Sequence, residues 1–200
     1  MKKVILLLLA PLMLAGCQAP ESATESSVSS SSTSQQTSTK TTVANPKTIK
    51  VSLATAIKRY HKQFGPHAAI SEIKVERENG RYEYDVSGLD QQYEYEMVIN
   101  ANTGKVLRHS REKLEADDQD EQTTSQIDPN QLTTLTKISE AATKKFGGGT
   151  AVEWSLDHEN GEILWEVKVN KGTQTSEVQV NAYTGKAVRI VETETTDDDD

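Results

Sequence analysis

Apolar positions change period part-way along this chain, and the same change occurs a second time further on. Leu53, Ala56, Ile57, Tyr60 and Phe64 recur at helical spacing, one stripe of an amphipathic helix. Ser52 sits at the N-cap position and Gly65-Pro66 stops the helix. Leu135, Ile138, Ala142 and Phe146 make an equivalent stripe behind Thr134, ended by Gly147-Gly148-Gly149. Asp128-Pro129 offers a competing start one turn earlier, which would make the second helix longer than the first. After each helix the period falls to two. Ile73 and Val75, then Tyr82, Tyr84 and Val86, alternate with polar residues on either side of Asn79-Gly80, a tight hairpin turn. Val152, Trp154 and Leu156, then Ile163, Trp165, Val167 and Val169, do the same around Asn160-Gly161. A further turn is expected around Ser87-Gly88 in one copy and Lys171-Gly172 in the other. Tyr93, Tyr95, Met97 and Ile99 mark the next strand, answered by Val178 and Val180. Thr103-Gly104 and Thr184-Gly185 then turn the chain into a short last strand, Val106-Leu107 or Ala187-Val188.

The repetition extends to identity. Asn100-Ala101-Asn102-Thr103-Gly104-Lys105 returns as Asn181-Ala182-Tyr183-Thr184-Gly185-Lys186, and Glu78-Asn79-Gly80 as Glu159-Asn160-Gly161. Such self-similarity indicates two copies of one module. The fold class expected is α+β, two tandem modules after a tether, each one helix packed on an antiparallel β-meander. The copies span residues 49–110 and 131–192. At about 60 residues each stands near the lower limit for a self-supporting core. Residues 111–130 are polar and mostly acidic, as suits a linker, so two separate modules are expected; docked copies sharing a groove are the alternative. Neither copy needs the other to complete a catalytic site, which argues against an enzyme.

The first residues carry a different signal. Lys2 and Lys3 precede an apolar run from Val4 to Leu14, too short to span a bilayer. The run ends in Leu14-Ala15-Gly16-Cys17, and Cys17 is the only cysteine, so no disulfide forms within the chain. This arrangement resembles the lipobox of bacterial lipoproteins. The resemblance implies a signal peptide at residues 1–16, diacylglyceryl transfer to Cys17, and anchoring by acyl chains including palmitate at the outer face of the membrane. Residues 17–48 are rich in Ser, Thr and Gln and bury little, so they read as a disordered tether reaching roughly 30 Å. A long tether of this kind behind a lipobox is similar to Gram-positive surface lipoproteins. The formal charge is −8, and about −10 once Lys2 and Lys3 are removed. No Lys/Arg stripe favours nucleic acid or anionic lipid. Residues 193–200, ending in Asp197 to Asp200, read as a solvated acidic tail.

Met97 to Leu107 and Val178 to Val188, an alternating strand followed by a Thr-Gly turn and a further apolar pair, resemble the core of the PepSY domain. The resemblance covers both copies. It implies a non-catalytic extracytoplasmic module of the kind found in propeptides of thermolysin-like metallopeptidases, in spore-germination proteins and in stand-alone lipoproteins. It also implies a role in restraining peptidases near the cell surface. No His-Glu-x-x-His pattern occurs in this sequence, so a peptidase partner would be another chain.

Other chemistry is weakly represented. His61, His67, His109 and His158 lack the spacing of metal ligands, and Asp157 to Lys168 fails as a calcium loop at Glu162 and Lys168. Neither a nucleophile elbow nor a phosphate-cradling loop is present. No cofactor, metal or catalytic residue is therefore expected. Tyr82, Tyr84, Tyr93, Tyr95, Trp154 and Trp165 are the candidate partner-binding residues, on the condition that an aromatic-bearing surface is exposed. The function expected is a cell-surface lipoprotein that binds or restrains an extracellular peptidase or other envelope enzyme. The alternative is a structural or sensing lipoprotein that binds a wall or signalling component.

Overall fold

Ser52 and Thr134 set where both helices begin. The computed structural model describes residues 49–114 and 126–196; the signal segment, Cys17, the tether before residue 49 and Asp197 to Asp200 lie outside the described residues. Helix α1 spans Leu53–Phe64, and the Ser52 side chain accepts the Thr55 N–H at 3.2 Å. Helix α2 spans Leu135–Phe146, capped in the same way by Thr134 and ended by Gly147 in the left-handed region. The two helices are equal in length. Asp128 does not start α2 early, because its carboxylate holds a separate turn by accepting the Asn130 N–H at 3.0 Å.

Four strands follow each helix. They are β1 (Ala69–Glu78), β2 (Arg81–Leu89), β3 (Tyr93–Asn100) and β4 (Val106–Lys113), then β5 (Thr150–Glu159), β6 (Glu162–Lys171), β7 (Gln174–Asn181) and β8 (Ala187–Thr195). Asn79-Gly80 and Asn160-Gly161 have positive φ at both residues, as a two-residue hairpin with matching strand twist requires. Ser87-Gly88 is not a turn. Both residues lie in β2, with Gly88 opposite Ile70, and the chain turns after Leu89. Glycine is needed there because a Cβ would lie 1.8 Å from the Ala69 carbonyl oxygen and 2.5 Å from the Tyr60 hydroxyl.

The copies are not modules on a string. All eight strands form one antiparallel sheet in the order β4-β3-β2-β1-β5-β6-β7-β8. The first strand of each meander pairs with the other, Ile73 with Leu156, Lys74 with Ser155 and Val75 with Trp154. Lys74 and Ser155 are equivalent positions of the two copies, so the junction has the self-complementary form of a two-fold dimer interface. Tyr82 reaches across it to donate to the Val152 carbonyl at 3.1 Å, and its ring lies 6.0 Å from that of Trp154. Ile127, inside the segment read as linker, is buried and donates its N–H to the Ile70 carbonyl at 2.9 Å. One continuous core results, with both helices on the same face of the sheet. Sharing it relieves the small-domain shortage of buried area that either copy would face alone.

Candidate functional site

Burial decides the fate of the aromatic candidates. Tyr82, Tyr84, Tyr95, Trp154 and Trp165 are all buried, and only Tyr93 is half-buried. Their alternation directs them toward the helices, so the condition for an aromatic recognition surface is not met by five of the six. Tyr84 donates to the Val51 carbonyl at 2.8 Å, Tyr95 to Asp90 at 2.6 Å, and the Trp154 indole to Ser139 at 3.0 Å. Burial pushes the Tyr84 phenol up, and burial with the Asp90 bond pushes Tyr95 up to about 12. Acting as neutral donors, Trp154 ties α2 to the sheet, Tyr84 ties β2 to the segment before α1, and Tyr95 closes the turn between β2 and β3. Tyr93 is covered on one face by Arg111, 4.4 Å from the ring centre.

The opposite face of the sheet carries no helix among the described residues. Strand register aligns Arg108, Val98, Asp85 and Lys74 with Ser155, Glu166, Gln179 and Arg189 in one row across all eight strands. Arg108 bridges Asp85 at 3.4 Å and Glu96 at 3.2 Å. Its counterpart Arg189 instead donates to Gln179 at 2.8 Å and reaches Glu159 at 3.5 Å. Burial, reinforced by Glu96 and opposed by Arg108 and Lys74, pushes the Asp85 carboxyl up to about 6. Asp157 and Glu166 are raised as well, chiefly by burial. Among the described residues no three His, Cys, Asp or Glu side chains are grouped to hold a metal ion.

The sheet's two ends are β4 and β8, each paired on one side only. Both run well beyond the two residues the sequence marks for them, so residues 111–113 and 193–195 belong to strands. The long exposed apolar side chains among the described residues are Leu107 on β4 and Val188, Ile190 and Val191 on β8. Register shifts in the β7–β8 pairing leave Val188 and Val191 without opposite numbers on β7. A third feature is a cavity of about 350 Å³ between the copies, walled by Val51, Leu53, Tyr84, Leu132 and Leu135 near the starts of both helices. The β8 residues were missed from the sequence. The one available signal was the poorly alternating stretch Val188-Arg189-Ile190-Val191 after the Thr-Gly turn.

The sequence pattern of the peptidase propeptide and YPEB domain, PepSY, matches residues 50–109 and again residues 134–191. The chain belongs to the PepSY family. Each match takes in one helix and its four-stranded meander almost whole, so the eight-stranded sheet is a pair of PepSY repeats joined edge to edge. Residues 1–18, with Cys17 among them, match a prokaryotic membrane lipoprotein lipid attachment site, which makes this a lipid-anchored cell-surface protein. No helix of the described residues is long and apolar enough to cross a membrane. The fold is similar to the crystal structure of a candidate lipoprotein from Clostridium difficile 630. The two are 28% identical with a TM-score of 0.65, over 73% of this chain and 95% of that one. No curated protein matches the chain.

Proposed function

We propose that this lipoprotein is a non-catalytic binding module, anchored through Cys17, that holds or restrains an extracellular peptidase or other envelope enzyme. The observation that carries the reading is the edge structure of the paired PepSY repeats. With the aromatic rings committed to the core, an open strand edge is the element suited to enter a partner's cleft, where main-chain hydrogen bonds give affinity. Membership of a family described by its peptidase propeptides supports a peptidase as partner. The long Ser/Thr-rich stretch before residue 49 suits reach from a Gram-positive membrane. The many carboxylates of the helix-free face disfavour anionic wall polymer, which like charge repels.

Residues 18–200, added at micromolar concentration to secreted peptidases of the same organism, are expected to slow at least one of them. Unchanged turnover across the whole set would refute the restraint reading.

A further inference from the structure

The two edges stand at equivalent places in the repeats, yet their chemistry differs. Position by position, Leu107, Arg108, His109, Ser110, Arg111, Glu112 and Lys113 of β4 correspond to Val188, Arg189, Ile190, Val191, Glu192, Thr193 and Glu194 of β8. On β4 the polar and basic side chains fold back on the domain: Arg111 over Tyr93, Arg108 onto Asp85 and Glu96, and His109 against Phe64 with ring centres 6.1 Å apart. Charged, engaged edges of this kind are how β-proteins block unwanted pairing. On β8 the corresponding residues other than Arg189 and Thr193 are apolar or acidic, and Val188, Ile190 and Val191 are each more than 40% exposed.

We infer that β8, and not β4, is the docking edge, and that its occupant is an extended polypeptide segment in which apolar residues alternate with Lys or Arg. The inference rests on the binding role proposed above and deepens it. Charge complementarity selects the partner. Glu192 and Glu194 lie on β8 itself and Glu177 is paired with Glu192 on β7, while Arg189 is occupied by Gln179 and Glu159. The same basic segment would meet Arg111 and Lys113 on β4, opposed by Glu112 alone with Arg108 engaged by Asp85 and Glu96, and be repelled. A second copy of this chain suits the edge poorly, because β8 offers Arg189 as its one basic residue against Glu192 and Glu194.

The test uses residues 18–200 and a fluorescent peptide that alternates valine with lysine and is long enough to span β8. Binding in the micromolar range is expected. Replacing lysine by glutamate, or N-methylating the peptide's backbone on one edge, is expected to weaken it at least about tenfold. Ile190→Lys with Val191→Lys is expected to weaken it by a similar factor, with folding checked by circular dichroism, and His109→Glu to leave it unchanged. Equal binding of the lysine and glutamate peptides, or of the N-methylated peptide, overturns the inference. So does a dimer in light scattering that the Ile190→Lys, Val191→Lys variant dissolves, because the occupant is then a second copy. Peptidase inhibition fully retained by that variant sinks this edge assignment and leaves the binding function standing. Peptide binding at β8 without any peptidase inhibition does the reverse.

Discussion

Tyr60 and Ala142 occupy the same turn of equivalent helices, one presenting a phenol to the sheet and the other a methyl group. The sheet answers in kind. The Tyr60 hydroxyl lies against Gly88, whose counterpart in the second repeat is Val169, while Ser139 of α2 meets Trp154, whose counterpart in the first repeat is Ile73. Bulk removed from the helix reappears on the strands, a volume-conserving exchange of the kind cores tolerate best. Polar satisfaction moves with the bulk. Tyr60 donates to the Ala69 carbonyl at 3.5 Å, while in the second repeat Ser139 takes the Trp154 indole N–H. Interior differences of this sort cancel. Those at the edges do not, because nothing within the sheet compensates a basic β4 against an apolar β8. The divergence between the repeats that remains uncompensated therefore lies where a partner would bind.

Exchanging the two interiors breaks this comparison most directly. Tyr60→Ala leaves a void the first repeat does not fill and is expected to cost about 4 kcal/mol by chemical denaturation. Gly88→Val, which copies the second repeat, drives a side chain into the Ala69 carbonyl and the Tyr60 hydroxyl at a cost of about 3 kcal/mol. Combined, the two are expected to cost less than their sum, and strict additivity would contradict volume exchange. Ser139→Ala leaves the buried Trp154 N–H without its acceptor and is expected to cost about 1–2 kcal/mol, while α1 has only Ile57 at that place.

The smallest expected effects are on the helix-free face. Because burial raises Asp85 above its ordinary value of 3.8, its ionised form is unfavourable in the folded protein. The favourable contribution is present in full below about pH 4 and is lost as pH rises through about 6. Asp85→Asn is accordingly expected to stabilise the protein by about 1 kcal/mol at pH 7, after allowance for solvent screening, and not at all near pH 4. Thermal unfolding at both values checks this. Glu166→Gln, at the equivalent position, shifts in the same direction, and equal effects of both variants at every pH would indicate loss of charge alone. Arg108→Ala and Arg189→Ala remove exposed ion pairs worth no more than about 0.5 kcal/mol.

The helices, their caps, both Asn-Gly hairpins and the α+β class were legible because one side of each element faces the core and the pattern records it. Leu53 to Phe64 and Tyr82 to Val86 are such cases. The full lengths of β4 and β8 were not legible, since a strand with both faces open, such as His109-Ser110-Arg111, has no alternation to show. Gly88 read as a turn because its reason for being glycine, the approach of Tyr60, is set by residues distant in sequence. The pairing of Ile73–Val75 with Trp154–Leu156 was equally hidden: alternation reveals which face is buried, never which edge is paired. The same limit explains the aromatic residues. Their period placed them on one face of the sheet, and only the helices laid over that face show that it is the covered one.

The claim that the repeats share a fold but divide their edges between closed and binding states is tested most directly in living cells. A photo-crosslinking residue placed at Val191, and separately at its counterpart Ser110, reports what each edge touches, with the captured proteins identified by mass spectrometry. An extracytoplasmic enzyme captured strongly at position 191 and scarcely at position 110 is the predicted result. Equal capture at both positions, or capture at position 110 alone, would contradict it.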